Sequence, residues 1–334
     1  MKPTLVALGL LGALLASTPA MAATVYVANE RAGSLTIIDE ATNATRTLAL
    51  DVLPHNVDLT PDGKTLLIAG MPSGHAQGGH DGHAEQRGRL LLLDADPAPG
   101  PAKVVEVGGH PAHVVPDRSG SLAFVTDAAS HAVVVVDLAA GQVVSRIEVG
   151  RYPHGLRLSP DGRTLAVANR DSDDVSLIDV SSRTQTARIA VGRQPVQVAF
   201  TPDGRRLFVS LSGENAVAAV NLHSRTRTAT YPVGPGPIQL AVSPDGAKLV
   251  VANQGSREVP GHSLSILDTT TGRLIATTEV GKGAHGVSIA GSGARAYAYV
   301  SNAFEDSVSV VDLESHKELA RHPTGAGPNG IVAR

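Results

Sequence analysis

The sequence predicts an all-β protein, a seven-bladed β-propeller whose four-stranded antiparallel blades run through the whole mature chain. Two observations predict it. A segment of the type GRYPHGLRLSPDGRTLAVANRDSDDVSLIDVSSRTQTARIAV recurs about every 42 residues, and a repeat of that length marks a propeller or a solenoid. Its landmarks can also be counted: a leading proline or alanine at Pro54, Pro111, Pro153, Pro195, Pro237, Ala284 and Pro328, and a VYVAN-type segment at 25–29, 66–70, 123–127, 165–169, 207–211, 249–253 and 298–302. Both sets number seven. Within one unit the apolar runs last only four to six residues between turn residues, too short for helices, and read as four strands. Small sheets of this kind bury their faces only against their neighbours, so the ring must close.

In chain order, the N-terminus carries Lys2, an apolar run over 5–15 and the small-residue stretch ending Ala20-Met21-Ala22, the form of a secretory signal peptide cleaved after Ala22. Residues 23–334 are then one domain, because a repeat that fills the chain leaves no linker. The first unit begins at its second strand, and an orphan first strand follows Pro328. We expect that C-terminal strand to complete the N-terminal blade. The second unit is longer than the others by an insertion at 72–88 that is rich in glycine and holds His75, His80 and His83 with Asp81 and Glu85. Such a chain cannot form a core, and its composition is that of a metal-capturing loop. Four units keep Pro-Asp-Gly, at 61–63, 160–162, 202–204 and 244–246, and an Asp or Asn ends each third strand (Asp39, Asp94, Asp137, Asp179, Asn221, Asp268, Asp312). Carboxylates that repeat in every blade are turn chemistry, not an acid and base pair.

Composition narrows the function. Charged residues are 18% and the formal net charge is -3, which provides no basic field for nucleic acid. Aromatics are 3% with no Trp, so no base-stacking platform is expected. The chain has no cysteine, which removes disulfides, thiolate metal sites and covalent haem attachment together. No later stretch is long and apolar enough to span a membrane, and no nicotinamide or flavin fingerprint is present. We expect a periplasmic or secreted monomer.

The residues YVAN, SPDG, the VSLID-type strand and the closing Val-Gly resemble the YVTN-type β-propeller repeat family of exported bacterial proteins. That resemblance implies the fold and leaves function open, since relatives include lactonases, haem-handling and metal-handling propellers. In a propeller the innermost strand of each blade lines the channel, so the two residues after each leading proline ring its mouth: His55-Asn56, Ala112-His113, His154-Gly155, Val196-Gln197, Ile238-Gln239, His285-Gly286 and Asn329-Gly330. Four blades present a histidine, and imidazoles converging on one axis suit Zn²⁺ or Cu²⁺. Asp127, which replaces the asparagine ending the second strand in other units, is a candidate ligand or orienting carboxylate on the same face. The candidate metal ligands are therefore His55, His113, His154, His285 and Asp127, with His75, His80 and His83 in the loop. A propeller with a His-rich loop is also similar to periplasmic propeller metallochaperones that pass zinc to a solute-binding protein. Three functions stay open: metal binding or delivery with zinc first and copper second, non-catalytic binding of a protein, cell-wall or tetrapyrrole ligand, and a lactonase-like hydrolysis.

Overall fold

The computed structural model of the protein describes residues 23–73, 87–96 and 102–334. The expected signal peptide, residues 1–22, and His75, His80 and His83 lie outside them. Seven sheets of four antiparallel strands form the ring, and six of them are consecutive in sequence. The seventh takes Pro328–Ala333 as the inner strand beside Thr24–Asn29, Ser34–Asp39 and Ala44–Ala49, which is the closure expected from the sequence. Among the described residues no helix is long and apolar enough to cross a membrane.

Position in the blade decides the residue pattern. Second and third strands such as Thr164–Asn169 and Asp174–Asp179 are covered by adjacent blades on both faces and are buried along almost their whole length. Outer strands such as Gln142–Glu148 and Lys317–Pro323 alternate, because one face meets solvent at the rim. The core consists of apolar layers between neighbouring blades, for example Leu177 and Ile189 against Leu207 and Val209. At the closing seam, Val25, Val27, Ile38 and Ile331 of the first blade meet Tyr299 and Val308 of the last.

The repeated carboxylates are turn residues. Asp62 accepts from the Lys64 N–H at 3.1 Å beside Gly63, whose φ of +71° suits a residue without a Cβ. Asp137 and Asp179 likewise accept backbone N–H groups three residues on.

One irregularity positions the site. In every blade the inner strand carries an extra residue against its neighbour just after the leading proline or alanine, so that Pro153 pairs with Asn169 but Leu156 with Val167. The same shift follows Pro54, Pro111, Pro195, Pro237, Ala284 and Pro328. A bulge bends the strand and re-aims its side chains. The bulged pairs are the residues that ring the channel mouth. Adjacent bulges approach closely: a Cβ on Gly155 would stand 2.4 Å from Gln197 Oε1, and one on Gly286 the same distance from the Asn329 carbonyl. Hydroxyls on second strands tie bulge to bulge. Thr126 receives the His113 N–H and donates to the His154 carbonyl, and Ser301 does the same for Gly286 and Asn329.

Candidate metal centre

His55, His113 and His154 are brought together across the channel from three successive inner strands, Val52–Leu59, Pro111–Pro116 and Pro153–Leu158. One nitrogen from each lies within 4.8 Å of the others. Ring centroids are separated by 4.9 Å for His113 and His154, 5.3 Å for His55 and His154, and 5.7 Å for His55 and His113. His285, the fourth ring histidine, stands 6.4 Å from His55, centroid to centroid, outside the three-nitrogen group.

Each ring is held by a partner. His55 Nδ1 faces Glu30 Oε1 at 3.2 Å, and Asn329 Nδ2 donates to the other oxygen of Glu30 at 2.5 Å. His154 Nδ1 donates to the Val196 carbonyl at 3.2 Å, which leaves its Nε2 lone pair facing His55 Nε2 at 3.3 Å. His113 is set by Gln197. The Gln197 amide oxygen accepts from the Val198 N–H at 2.8 Å, so its Nε2 donates to His113 Nδ1 at 3.3 Å and the His113 proton sits on Nε2. His113 Nε2 and His285 Nδ1 are buried with no hydrogen-bond partner among the described residues.

Electrostatics separates the four imidazoles. Burial pushes His113 and His154 well below the usual histidine value, and the charge of neighbouring histidines adds to it. For His285 burial and then His55 bring it to about 3. His55 goes the other way. Burial opposes its charge, but the Glu30 carboxylate outweighs burial and raises it. Glu30 is correspondingly held at about 2, with the His55 charge and the His55 and Asn329 hydrogen bonds overcoming a burial effect of opposite sign. Three neutral imidazoles beside one carboxylate–imidazolium pair form a set of nitrogen donors with a carboxylate behind one of them, the arrangement in which metal-binding histidines are commonly held.

Three residues beyond His55 and His154 on the same inner strands stand Asp58 and Arg157. Burial raises Asp58 and lowers Arg157, and each partly offsets the other.

Asp127 is not part of the cluster. Its oxygens accept from the backbone N–H groups of Gly109, His110, Ala129 and Ser130 and from the Ser130 hydroxyl, under the loop that leads into its blade's inner strand. Asn29, Asn169, Asn253 and Asn302 hold the same place in their blades, each donating to two side chains of its third strand. The expectation that Asp127 is a ligand or an orienting carboxylate is therefore corrected. The carboxylate that orients a ring histidine is Glu30, one residue beyond the strand-ending Asn29. Replacing Asp127 by Ala should destabilise the fold by about 2 kcal/mol, because several donors lose a charged acceptor, and leave metal affinity unchanged. Urea midpoints beside a metal titration would separate the two effects.

The insertion leaves this same face. Pro72 pairs with Val52 at the start of the strand that carries His55, and Ser73 N–H donates to the Asp51 carbonyl at 3.0 Å.

The model of the YNCE-like beta-propeller family matches residues 101–295, more than half of the chain. The chain belongs to that family. The matched stretch of this YNCE-like propeller contains His113, His154 and His285, whereas His55 and Glu30 precede it. No curated protein matches its sequence significantly. Among solved structures, a functionally unknown protein from Desulfotomaculum acetoxidans DSM 771 superposes with a TM-score of 0.74 at 14% identity, over 92% of this chain and 98% of the other. The periplasmic gluconolactonase PpgL of Pseudomonas aeruginosa gives 0.72 at 20% identity over 93% and 98%. Hydrazine synthase of Kuenenia stuttgartiensis gives 0.69 at 23% identity over 84% and 89%. At these identities the likeness is one of fold.

Proposed function

We propose that this YNCE-like propeller is a periplasmic metal-binding protein that holds Zn²⁺, or next Cu²⁺, on His55, His113 and His154 and passes it to a partner. The observation that carries this reading is the convergence of three imidazole nitrogens within 4.8 Å of one another on a rigid ring. The donor set fits: the two neutral imidazoles of His113 and His154, with His55 once it gives up its proton, suit a borderline divalent ion, His113 Nε2 has no other partner, and Glu30 behind His55 supplies the outer carboxylate such ligands use. Three protein ligands leave a coordination position open, which a delivery protein needs for exchange. Loading has a cost at His113. To present its Nε2 lone pair the ring must move its proton to Nδ1, and Gln197 must turn its amide oxygen toward it, giving up the Val198 N–H. That cost weakens binding and favours release.

Calorimetric titration of the metal-free protein with Zn²⁺ and Cu²⁺ at neutral pH tests the proposal. Submicromolar binding is expected in the native chain and in a variant lacking residues 74–86, with none in the His55→Ala/His113→Ala/His154→Ala variant. Glu30→Gln should weaken binding by about 10–100-fold through loss of the outer carboxylate. Binding that survives the triple substitution, or none at all, would sink the reading.

A second reading draws on the likeness to the gluconolactonase. A metal with an open position also activates water, and metal-dependent turnover of gluconolactone by the purified protein would favour it over delivery.

A further inference from the structure

The residue that follows each VYVAN-type segment is, blade by blade, Glu30, Met71, Ala128, Arg170, Ser212, Gln254 and Ala303. Only two of the seven are charged, and they are of opposite sign. Glu30 is committed to His55 and Asn329. Arg170 makes no ion pair among the described residues, and its Nε is buried without a hydrogen-bond partner.

Its position is nonetheless built. The guanidinium lies over the Tyr152 ring at 5.7 Å from the centroid, and the Arg170 N–H donates to the Tyr152 carbonyl at 3.0 Å. Tyr152 has a φ of +52°, in the left-handed region that the corresponding positions before Pro195, Pro237, Ala284 and Pro328 also adopt with Gln194, Gly236, Gly283 and Gly327. The left-handed turn belongs to the scaffold, and an aromatic residue stands in it only in this blade among those five. Here it brings the ring under a cation two residues before His154. The Arg170 charge reaches that histidine, where it adds to the forces that keep the imidazole neutral.

We propose that Arg170 is an oxyanion subsite, so that the metal is held at the channel mouth together with a small carboxylate or phosphate that occupies its open position. This rests on the metal reading above. Charge balance points the same way. A divalent ion on neutral imidazoles, with Arg170 and Arg157, outweighs Glu30 and Asp58 by two positive charges. A guanidinium prefers carboxylate or phosphate oxygens, which it can receive in pairs, and an oxyanion can give one oxygen to the metal and another to the arginine.

Co²⁺ in place of zinc gives the test a readout independent of any activity. The Co²⁺-loaded protein is titrated with malonate and with inorganic phosphate while the visible ligand-field bands are followed, in the native chain and in Arg170→Gln and Arg170→Lys. The expected result is a spectral change with both or either anion, about tenfold weaker in Arg170→Gln and partly restored in Arg170→Lys. The tighter of the two anions assigns the class. Co²⁺ bound normally but anion affinity equal in all three proteins overturns the subsite and leaves the metal site standing. Failure of Co²⁺ to bind the native chain overturns the metal reading and the subsite with it.

Discussion

Deleting residues 325–334 is expected to abolish the closed ring, not merely to loosen one edge. Pro328–Ala333 is the inner strand of the first blade, paired with Thr24–Asn29 through Tyr26 and Val332 and through Val27 and Ile331. Around it, the Glu30 and Ala32 N–H groups donate to the carbonyls of Gly327 and Ala326, and Thr24 and Arg334 exchange a pair of bonds at 3.1 Å. Ile331 is 4% exposed and packs with Val25, Val27 and Tyr299, which the deletion would open to water. One buried branched side chain and several backbone bonds amount to about 5–10 kcal/mol, comparable with the whole stability of a domain. The last strand also holds Asn329, which donates to Glu30, so the carboxylate behind His55 loses its second partner. The measurement is thermal unfolding of the truncated protein beside a circular permutant that carries residues 325–334 ahead of Ala23. The permutant should unfold as cooperatively as the native chain, and the truncation should be unfolded or molten at room temperature. A truncated protein that melts within a few degrees of the native one would show that the ring does not depend on this strand.

The same strand shows why the fold was legible in the sequence. A propeller is specified by repetition, and seven leading prolines with seven VYVAN-type segments place every inner strand without reference to any one residue. The four ring histidines were legible for the same reason, since the two residues after each leading proline or alanine are located by counting. What counting does not supply is direction. Asp127 ends its strand where Asn29 ends another, and successive residues of a strand point to opposite sides. Asp127 therefore turns under its own loop, to the amides of Gly109 and His110, while the next residue along in the first blade, Glu30, reaches His55. A one-residue difference separates a scaffold carboxylate from the one that orients a histidine. The absence of a matching charge at Met71, Ala128, Ser212, Gln254 and Ala303 was the available sign, because a site differs from blade to blade whereas scaffold repeats. The convergence of His55, His113 and His154, and the distance of His285, depend on bulge geometry and on partners such as Gln197 and Val196, which no spacing encodes.

Acid should unfold the metal-free protein steeply between pH 6.5 and 4.5. His113 and His154 lie well below 6.5 and His285 at about 3 in the folded state, chiefly through burial, so the folded state resists their protonation. Unfolded, each titrates near 6.5. A depressed group contributes stability that is complete above its unfolded value and is lost as pH falls toward its folded one. Three such groups give an upper slope of about 4 kcal/mol per pH unit. His55 has the opposite sign: raised by Glu30, it contributes stability that is complete below 6.5 and is lost as pH rises through its folded value. Glu30, at about 2, adds its own loss only below about 4.5. Urea midpoints at pH 7.5, 6.5 and 5.5 should fall steeply in the native chain and much less in a His113→Gln/His154→Gln/His285→Gln variant; equal slopes would refute the assignment. Metal affinity should respond differently. Imidazoles of ordinary basicity would lose affinity below about pH 6 as they gain protons, but His113 and His154 are already held well below that basicity before the metal arrives. Only His55 must release a proton, so affinity should change about tenfold per pH unit below its raised value, a slope of one rather than three. Zinc titrations across this range would count the protons, and Glu30→Gln, by removing the charge that holds the proton on His55, should flatten the curve near neutrality even as it weakens binding.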